Sequence, residues 1–91
     1  MLRRILQYQQ NGERSEVIIE LGNPKPRDDD FGCRLRIKGH SFNVDRVIYG
    51  VDSLQAMILA IKLARSIIAE SEAYKEGRLY WLEPGEDFDL L

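Results

Sequence analysis

The stretch LRRILQYQQNGERSEVIIEL, residues 2–21, carries the strongest signal for the fold. Asn11-Gly12 lies at its centre and favours a two-residue type I′ turn, because both central positions of that turn need positive φ. Residues 15–21 alternate between mostly polar and apolar side chains, as in a strand with one buried face. The stretch therefore predicts a β-hairpin. Its central turn predicts these facing pairs: Leu2 with Leu21, Ile5 with Ile18, and Leu6 with Val17.

Two further strands are expected after a loop at residues 22–32, which holds two prolines, two glycines and three consecutive aspartates. Residues 33–38 alternate between apolar and basic side chains, and residues 42–44 begin a fourth strand with the same period of two. Gly39-His40 fits a type II′ turn between these strands, since glycine suits its first central position. The first half of the chain thus predicts strands joined by short turns.

These turns predict a row of alternating charge on the outer face of the sheet. Arg3 would face Glu20, Glu20 would face Arg34, and Arg34 would face Asp45. Opposite charges that face each other across strands contribute about 0.2–1 kcal/mol per pair. The row favours a four-stranded antiparallel meander in which the strands follow their order in the chain.

Residues 53–76 predict one long helix, because helix formers dominate, no glycine or proline interrupts them, and Gly77 is a natural stop. Its apolar arc is wider than the stripe that a helix needs to pack on a single sheet. Residues 79–82 predict a short edge strand or a strap. The fold class is thus α+β, with the helix packed on one face of the sheet. The predicted core consists of Leu6, Val17, Ile19, Leu21, Leu35, Ile37, Phe42, Val44, Leu54, Met57, Ile58, Ile61 and Ile68.

Composition indicates one small soluble domain spanning residues 1–91, with an acidic and mobile tail at residues 83–91. The formal net charge of -2 disfavours a general binder of nucleic acid or anionic membranes. Cys33 is the only cysteine, so no intrachain disulfide can form and a reducing cytoplasm is expected. The first ten residues are too polar for a signal peptide. No apolar run reaches the length of a membrane span.

The segment Gly50-Val51-Asp52-Ser53-Leu54 has the form in which carrier proteins present a serine for a phosphopantetheine arm. A carrier protein needs an all-helical bundle, whereas the residues before Ser53 predict strands. A helix start explains the same letters, because Asp52 or Ser53 can accept a hydrogen bond from the first turn. We therefore expect no cofactor, and a carrier protein modified at Ser53 is the less favoured alternative.

Three other features could suggest chemistry. Asp28-Asp29-Asp30 could bind a divalent cation, but neighbouring side chains diverge, and a solvated loop explains them better. Cys33 is expected on the inner face, where a cysteine acts as a small hydrophobic residue. His40 lies in a predicted turn, and no partner for acid–base catalysis is evident. The sequence therefore predicts a protein that is not an enzyme and binds no metal.

Arg34, Arg36 and Lys38 form a basic stripe that could hold single-stranded RNA on the sheet, with Tyr8 or Tyr49 nearby. Acidic side chains on neighbouring strands would neutralise this stripe. A structural ladder of charges is the favoured interpretation, and an RNA-binding sheet is the alternative.

The words GVDSLQAM, AIKLARSII and GRLYWLEPGEDF resemble a family of small, uncharacterised bacterial proteins. Its members share a G-x-D-S-L-Q-A-L helix start and an L-Y-W-L-type ending after a strand-rich first half. The resemblance covers roughly residues 32–91. It implies a single cytoplasmic domain, and some members resemble the small immunity-type proteins of bacterial toxin systems. It implies no activity and no cofactor.

Taken together, these features predict a non-catalytic protein-interaction module, immunity-like or regulatory, that binds another protein or forms a homodimer. Two apolar regions motivate this prediction: the outer sheet face and the surplus arc of the helix. The alternative is that the segment RLYWL and the apolar residues of the tail fold back over these regions within one chain. The candidate interaction surface consists of Ile5, Ile18, Leu59, Leu63, Ile67, Tyr80 and Trp81.

Overall fold

A computed structural model describes residues 1–83, Phe88 and Leu90. It has the predicted α+β class, with an antiparallel sheet and one main helix, but the sheet has six strands rather than four. The elements are β1 (Leu2–Gln10), β2 (Glu13–Leu21), β3 (Lys25–Pro26), β4 (Phe31–Gly39), β5 (Phe42–Gly50), α1 (Ser53–Ala69), α2 (Glu72–Lys75) and β6 (Leu79–Tyr80).

The amino-terminal hairpin has the predicted turn and register. Asn11 and Gly12 both adopt positive φ, at 53° and 79°. Leu2 faces Leu21, Ile5 faces Ile18 and Leu6 faces Val17. A two-residue turn fixes the pairing of its strands, and therefore the face to which each side chain points.

The four long strands form the predicted meander, in the order β1, β2, β4, β5 across the sheet. The two additional strands are short. β6 pairs with the free side of β1, so the segment after the helices is an edge strand. β3 pairs with β4 beyond the end of β2. Leu21 at the end of β2 faces Leu35, and Lys25 in β3 faces Gly32. The chain from Leu21 to Lys25 is therefore one residue longer than the stretch of β4 that it faces. The chain at residues 22–24 therefore bulges before it resumes pairing with β4.

The predicted pairing of β4 with β2, and of β4 with β5, is wrong by two residues. Gly39 pairs with Phe42, so His40 and Ser41 make the turn between β4 and β5. Gly39 is instead required by the packing of β4 beside β2, because a Cβ at this position would overlap the carbonyl oxygen of Glu16. The glycine permits close contact between two strands instead of forming the centre of a type II′ turn. A shift of two residues keeps every side chain on its predicted face.

The prediction of a single helix over residues 53–76 is also wrong, because α1 ends at Ala69 and a separate helix, α2, follows after a break. Ser71 explains the break. Its hydroxyl donates to the carbonyl of Ile68 at 2.6 Å and accepts from the backbone N–H of Tyr74 at 3.2 Å. Serine competes for backbone hydrogen bonds in this way and favours helix starts over helix interiors. Gly77, with φ 72°, follows α2.

The core lies between the inner face of the sheet and the helices. Seven predicted core residues are buried: Leu6, Val17, Ile19, Leu21, Leu35, Ile37 and Ile68. Five others are half-buried: Phe42, Val44, Met57, Ile58 and Ile61. Leu54 is 65% exposed, so its assignment to the core is wrong. Helix α1 buries a line of small residues instead, at Ala56, Ala60 and Ala64, ahead of Ile68. Alanines allow the helix axis to approach the sheet, and larger side chains fill the flanks.

Within the described residues, no helix combines the length and the apolar character that crossing a membrane would require.

Candidate functional site

The predicted interaction residues separate onto two surfaces of the molecule. Ile5 and Ile18 face each other on the outer side of β1 and β2, away from the helices, and both are half-buried. Tyr80 lies on the same side, opposite Gln7, but it is only 6% exposed. Its hydroxyl donates to the side-chain oxygen of Gln9 at 3.2 Å. Of these three residues on the outer face, Ile5 and Ile18 are therefore the accessible ones.

The helix residues of the candidate surface lie on the other side of the sheet. Leu59 is 39% exposed on α1. Leu63 and Ile67 are half-buried and pack against the core. Of these three helix residues, Leu59 therefore presents the largest apolar area to solvent.

Trp81 packs within its own chain. Its ring lies 3.6 Å from the guanidinium carbon of Arg4, and Arg4 Nη1 donates to the carbonyl of Phe88 at 2.6 Å. Phe88 is 1% exposed and contacts the ring of Tyr74 edge-on at 5.1 Å. Leu90 also packs against the core. Phe88 and Leu90 thus pack against the core of their own chain. The other tail residues, 84–87, 89 and 91, lie outside the described residues.

A row of ion pairs crosses the outer face of the sheet. Arg3 donates to Glu20 Oε2 at 2.6 Å, as its facing position predicts. Arg34 donates to both carboxylate oxygens of Asp45, at 2.8 and 2.7 Å, although the two residues are not directly opposite. This hydrogen bond lowers the pKa of the Asp45 carboxyl and raises that of Arg34. The predicted row of charges therefore exists, but Arg36 rather than Arg34 faces Glu20.

Arg36 stands in the middle of this row and is incompletely satisfied. It faces both Glu20 and Asp45. Its Nη1 nevertheless lies 4.0 Å from Glu20 Oε1, which is too long for a hydrogen bond. Its Nε is buried without a hydrogen-bond partner. Buried donors in folded proteins are nearly always paired, so this Nε is an exception. The side chain as a whole is 42% exposed, so solvent and ligands reach Arg36 through its other N–H groups.

A groove of about 620 Å³ opens on the outer face beside Arg36, at the end of the sheet where β3 joins β4. Lys25, Arg27 and Arg34 line it together with Arg36. Val47 and Tyr49 contribute an apolar wall and lean across Gly32, where a Cβ would lie 2.9 Å from Val47 Cγ1. The groove thus combines several cations with an apolar patch.

Sequence reasoning missed Lys25 and Arg27 as members of this site because it assigned residues 22–32 to a loop. Lys25 and Pro26 instead form a strand that aligns Lys25 with Gly32. Arg27 closes the following turn: its backbone N–H donates to the Asp30 carbonyl at 2.7 Å, and its Nε to the Asp30 carboxylate at 2.9 Å. The segment PKPR, residues 24–27, could have indicated this strand, because prolines are compatible with an edge strand and they alternate here with basic residues.

The residues considered for catalysis or modification lie apart from one another. Ser53 is exposed at the first position of α1, and Asp52 caps the helix by accepting from the Gln55 N–H at 2.7 Å. Cys33 is buried, its Sγ donates to the Gly22 carbonyl at 3.3 Å, and burial raises the pKa of its thiol. His40 stacks on Tyr8 at 3.8 Å.

The aspartates at residues 28–30 do not converge on a metal site. Asp30 binds Arg27, and Asp28 and Asp29 are exposed. Across residues 1–83, Phe88 and Leu90, no three His, Cys, Asp or Glu side chains lie close enough together to hold a metal ion.

Comparison with known proteins identifies the family of the chain. A family model described as a domain of unknown function (DUF6968) matches residues 2–91, which includes the amino-terminal hairpin as well as the segment with the resemblance noted above. Neither the curated proteins nor the solved structures contain a match to the chain. Because the family model covers nearly its whole length, the chain belongs to the DUF6968 family.

Proposed function

We propose that the protein is a non-catalytic interaction module that binds another protein through the outer face of its sheet. The observation that carries the proposal is an imbalance between the two faces. Both helices and Phe88 pack on the inner face, and no described helix packs on the outer one. The outer face carries the exposed apolar side chains of Val47 and Tyr49 beside a row of ordered ion pairs.

This combination has the features of a protein-binding surface. Aromatic and arginine side chains are enriched in such interfaces and often dominate their energy. The ion pairs already orient the half-exposed side chains of Arg3 and Arg34, which reduces the side-chain entropy lost on binding. An immunity-type or regulatory role would use the surface to neutralise or control a partner, and such a role is part of the proposal. So is a cytoplasmic location, in keeping with the free thiol of Cys33.

Self-association is the simplest form of the proposal, because closed twofold assembly is the commonest way to bury such a surface. Sedimentation equilibrium tests it. If a homodimer forms through the sheet, Ile18→Lys should return it to the monomer mass while Leu63→Lys should not. Dissociation by Leu63→Lys alone would assign the interface to the helix flank. A monomer mass up to high micromolar concentration would exclude the homodimer and leave a different protein as the partner.

If the partner is a different protein, the test compares substitutions of two side chains that are about equally exposed. Val47 is 45% exposed on the outer face, and Leu59 is 39% exposed on α1. Tagged wild-type protein, Val47→Ser and Leu59→Ser would be used to capture partners from cells of the organism that encodes the protein. The proposal expects a specific partner that Val47→Ser loses and Leu59→Ser retains. Loss with Leu59→Ser alone would contradict it.

The convergence of Lys25, Arg27, Arg34 and Arg36 favours a second function, the binding of single-stranded RNA. Two features place it behind protein binding. The Arg27 guanidinium lies 4.1 Å from the centre of the Tyr49 ring and covers one face on which a base could stack. Glu20 and Asp45 would repel a phosphate backbone. Binding of RNA that falls steeply with salt and is lost in Arg34→Gln and Arg36→Gln would support this second function.

A further inference from the structure

We propose that the groove on the outer face binds an acidic peptide segment, in which carboxylate side chains flank an apolar one. The inference rests on the proposed function and specifies the chemistry of the partner. Three properties of the groove lead to it: its excess of positive charge, its unsatisfied arginine and its apolar wall.

The charge of this region is opposite to that of the whole chain. Around the groove, five cationic side chains accompany three carboxylates: Lys25, Arg27, Arg34, Arg36 and the adjacent Arg3, with Glu20, Asp30 and Asp45. The protein as a whole has a formal net charge of -2. The excess of positive charge is therefore local, and it attracts an anionic partner to this end of the sheet.

Two of these cations remain available to a ligand. Among the described residues, Lys25 takes part in no ion pair, and Arg36 meets Glu20 only at 4.0 Å. The Arg36 side chain is 42% exposed, so its remaining N–H groups can reach an incoming group. A guanidinium presents a planar fork that matches a carboxylate with two parallel hydrogen bonds.

The apolar wall of the groove disfavours a ligand that carries only charged groups. Val47 and Tyr49 are each nearly half exposed, and they form a continuous apolar surface across Gly32. An apolar side chain between two carboxylates would cover this surface while the carboxylates reach Lys25 and Arg36. A peptide satisfies both requirements. A nucleic acid would need the Tyr49 ring, one face of which Arg27 covers at 4.1 Å.

The experiment measures fluorescence anisotropy of the labelled peptide GELELEG and of its uncharged counterpart GQLQLQG. We expect wild-type protein to bind GELELEG at least about tenfold more tightly than GQLQLQG, because charged groups form the stronger hydrogen bonds. The affinity should fall as NaCl rises from about 50 to about 300 mM, since the groove is open to solvent.

Substitutions inside and outside the groove show where the peptide binds. Lys25→Gln and Arg36→Gln should each weaken binding of GELELEG by about tenfold. Lys62→Gln, which removes the same charge from the exposed side of α1, should change it less than about twofold. Because Arg36 is partly buried, circular dichroism would confirm that its variant is folded. If it is not, Lys25→Glu decides the matter: this variant should lose GELELEG and gain affinity for the basic peptide GKLKLKG.

Three results would overturn the inference. One is the absence of saturable binding of GELELEG up to about 1 mM. Another is an equal loss of affinity in Lys62→Gln. The third is tighter binding of an oligouridine than of GELELEG with the same dependence on Lys25 and Arg36, which would assign the groove to nucleic acid. A partner captured through Val47 but indifferent to GELELEG would leave the proposed function intact and refute this inference alone.

Discussion

Arg34 and Asp45 form a bidentate ion pair across β4 and β5, although neither residue directly faces the other. Arg34 lies opposite Val47, and Asp45 lies opposite Arg36. The guanidinium of Arg34 reaches diagonally and donates to both carboxylate oxygens at 2.8 and 2.7 Å. Diagonal neighbours on one face of a sheet are within reach of long side chains. Asp45 is thereby bound to Arg34, and Arg36 is left beside the groove with donors to spare.

This ion pair should make stability depend on pH through Asp45. The hydrogen bond from Arg34 lowers the pKa of Asp45 below its ordinary value of 3.8. The stabilisation is therefore fully present above pH 3.8 and is lost as pH falls through the lowered pKa of the folded state. Urea unfolding of wild type and Asp45→Asn should show their largest difference in free energy near neutral pH, and a vanishing difference in strong acid.

The control for the Asp45 experiment is Asp28→Asn. Asp28 is exposed and makes no ion pair with any described residue. Its substitution should leave the pH dependence of wild type unchanged. Since Asp45 is exposed, its effect should also shrink in high salt. A difference between wild type and Asp45→Asn that grows on acidification would contradict this account.

The start of α1 should depend on Asp52 and not on Ser53. Asp52 accepts the hydrogen bond from the Gln55 N–H, and Ser53 follows it as the first helical residue. Asp52→Ala should lower the free energy of unfolding by about 0.5–2 kcal/mol, whereas Ser53→Ala should change it by less than about 0.5 kcal/mol. Thermal unfolding by circular dichroism measures both. A larger effect of Ser53→Ala would mean that the serine is the cap.

Ser53 should also fail to accept a phosphopantetheine arm. It is exposed at the start of a helix, but that helix follows a sheet rather than the helical bundle of a carrier protein. Incubation with a phosphopantetheinyl transferase and coenzyme A, followed by intact mass measurement, should leave the mass unchanged. A gain of one arm that disappears in Ser53→Ala would refute the prediction.

Gly50 should be required for the contact between β5 and α1. A Cβ at this position would overlap the backbone of Ala56 and lie 2.8 Å from its Cα. Gly50→Ala should therefore destabilise the fold by about 1–3 kcal/mol through overpacking. Gly22→Ala is the matched control, because its Cβ would make an ordinary contact of 3.5 Å with the Arg34 side chain. Equal effects of the two substitutions in chemical denaturation would show that the close approach is unimportant.

The sequence predicted the parts of the fold that depend on local signals. Asn11 and Gly12 determine the turn, and the turn determines the register of β1 and β2. The register of β4 was not predictable in this way, because the bulge at residues 22–24 and the role of Gly39 depend on contacts between distant segments. The same reason applies to α1, where Ala56 and its neighbours face the sheet while the larger Leu54 is exposed.

The candidate site was predictable to a similar extent. Alternation in β2 and β4 placed the charged side chains on one outer face, and a register error of two residues does not change that face. The groove could not be predicted, because Lys25 reaches it only after the bulge, and its apolar wall requires Val47 and Tyr49 to lean over Gly32. These arrangements arise from tertiary packing.

The central claim is that the outer face of the sheet is the docking surface, and photo-crosslinking in cells tests it most directly. The photoreactive residue p-benzoylphenylalanine would replace Val47 on the outer face in one variant and Leu59 on α1 in another. Both native side chains are about equally exposed, so accidental encounters should crosslink them equally. We predict a discrete adduct from position 47 and none from position 59. An adduct from position 59 alone, or none from either, would contradict the claim.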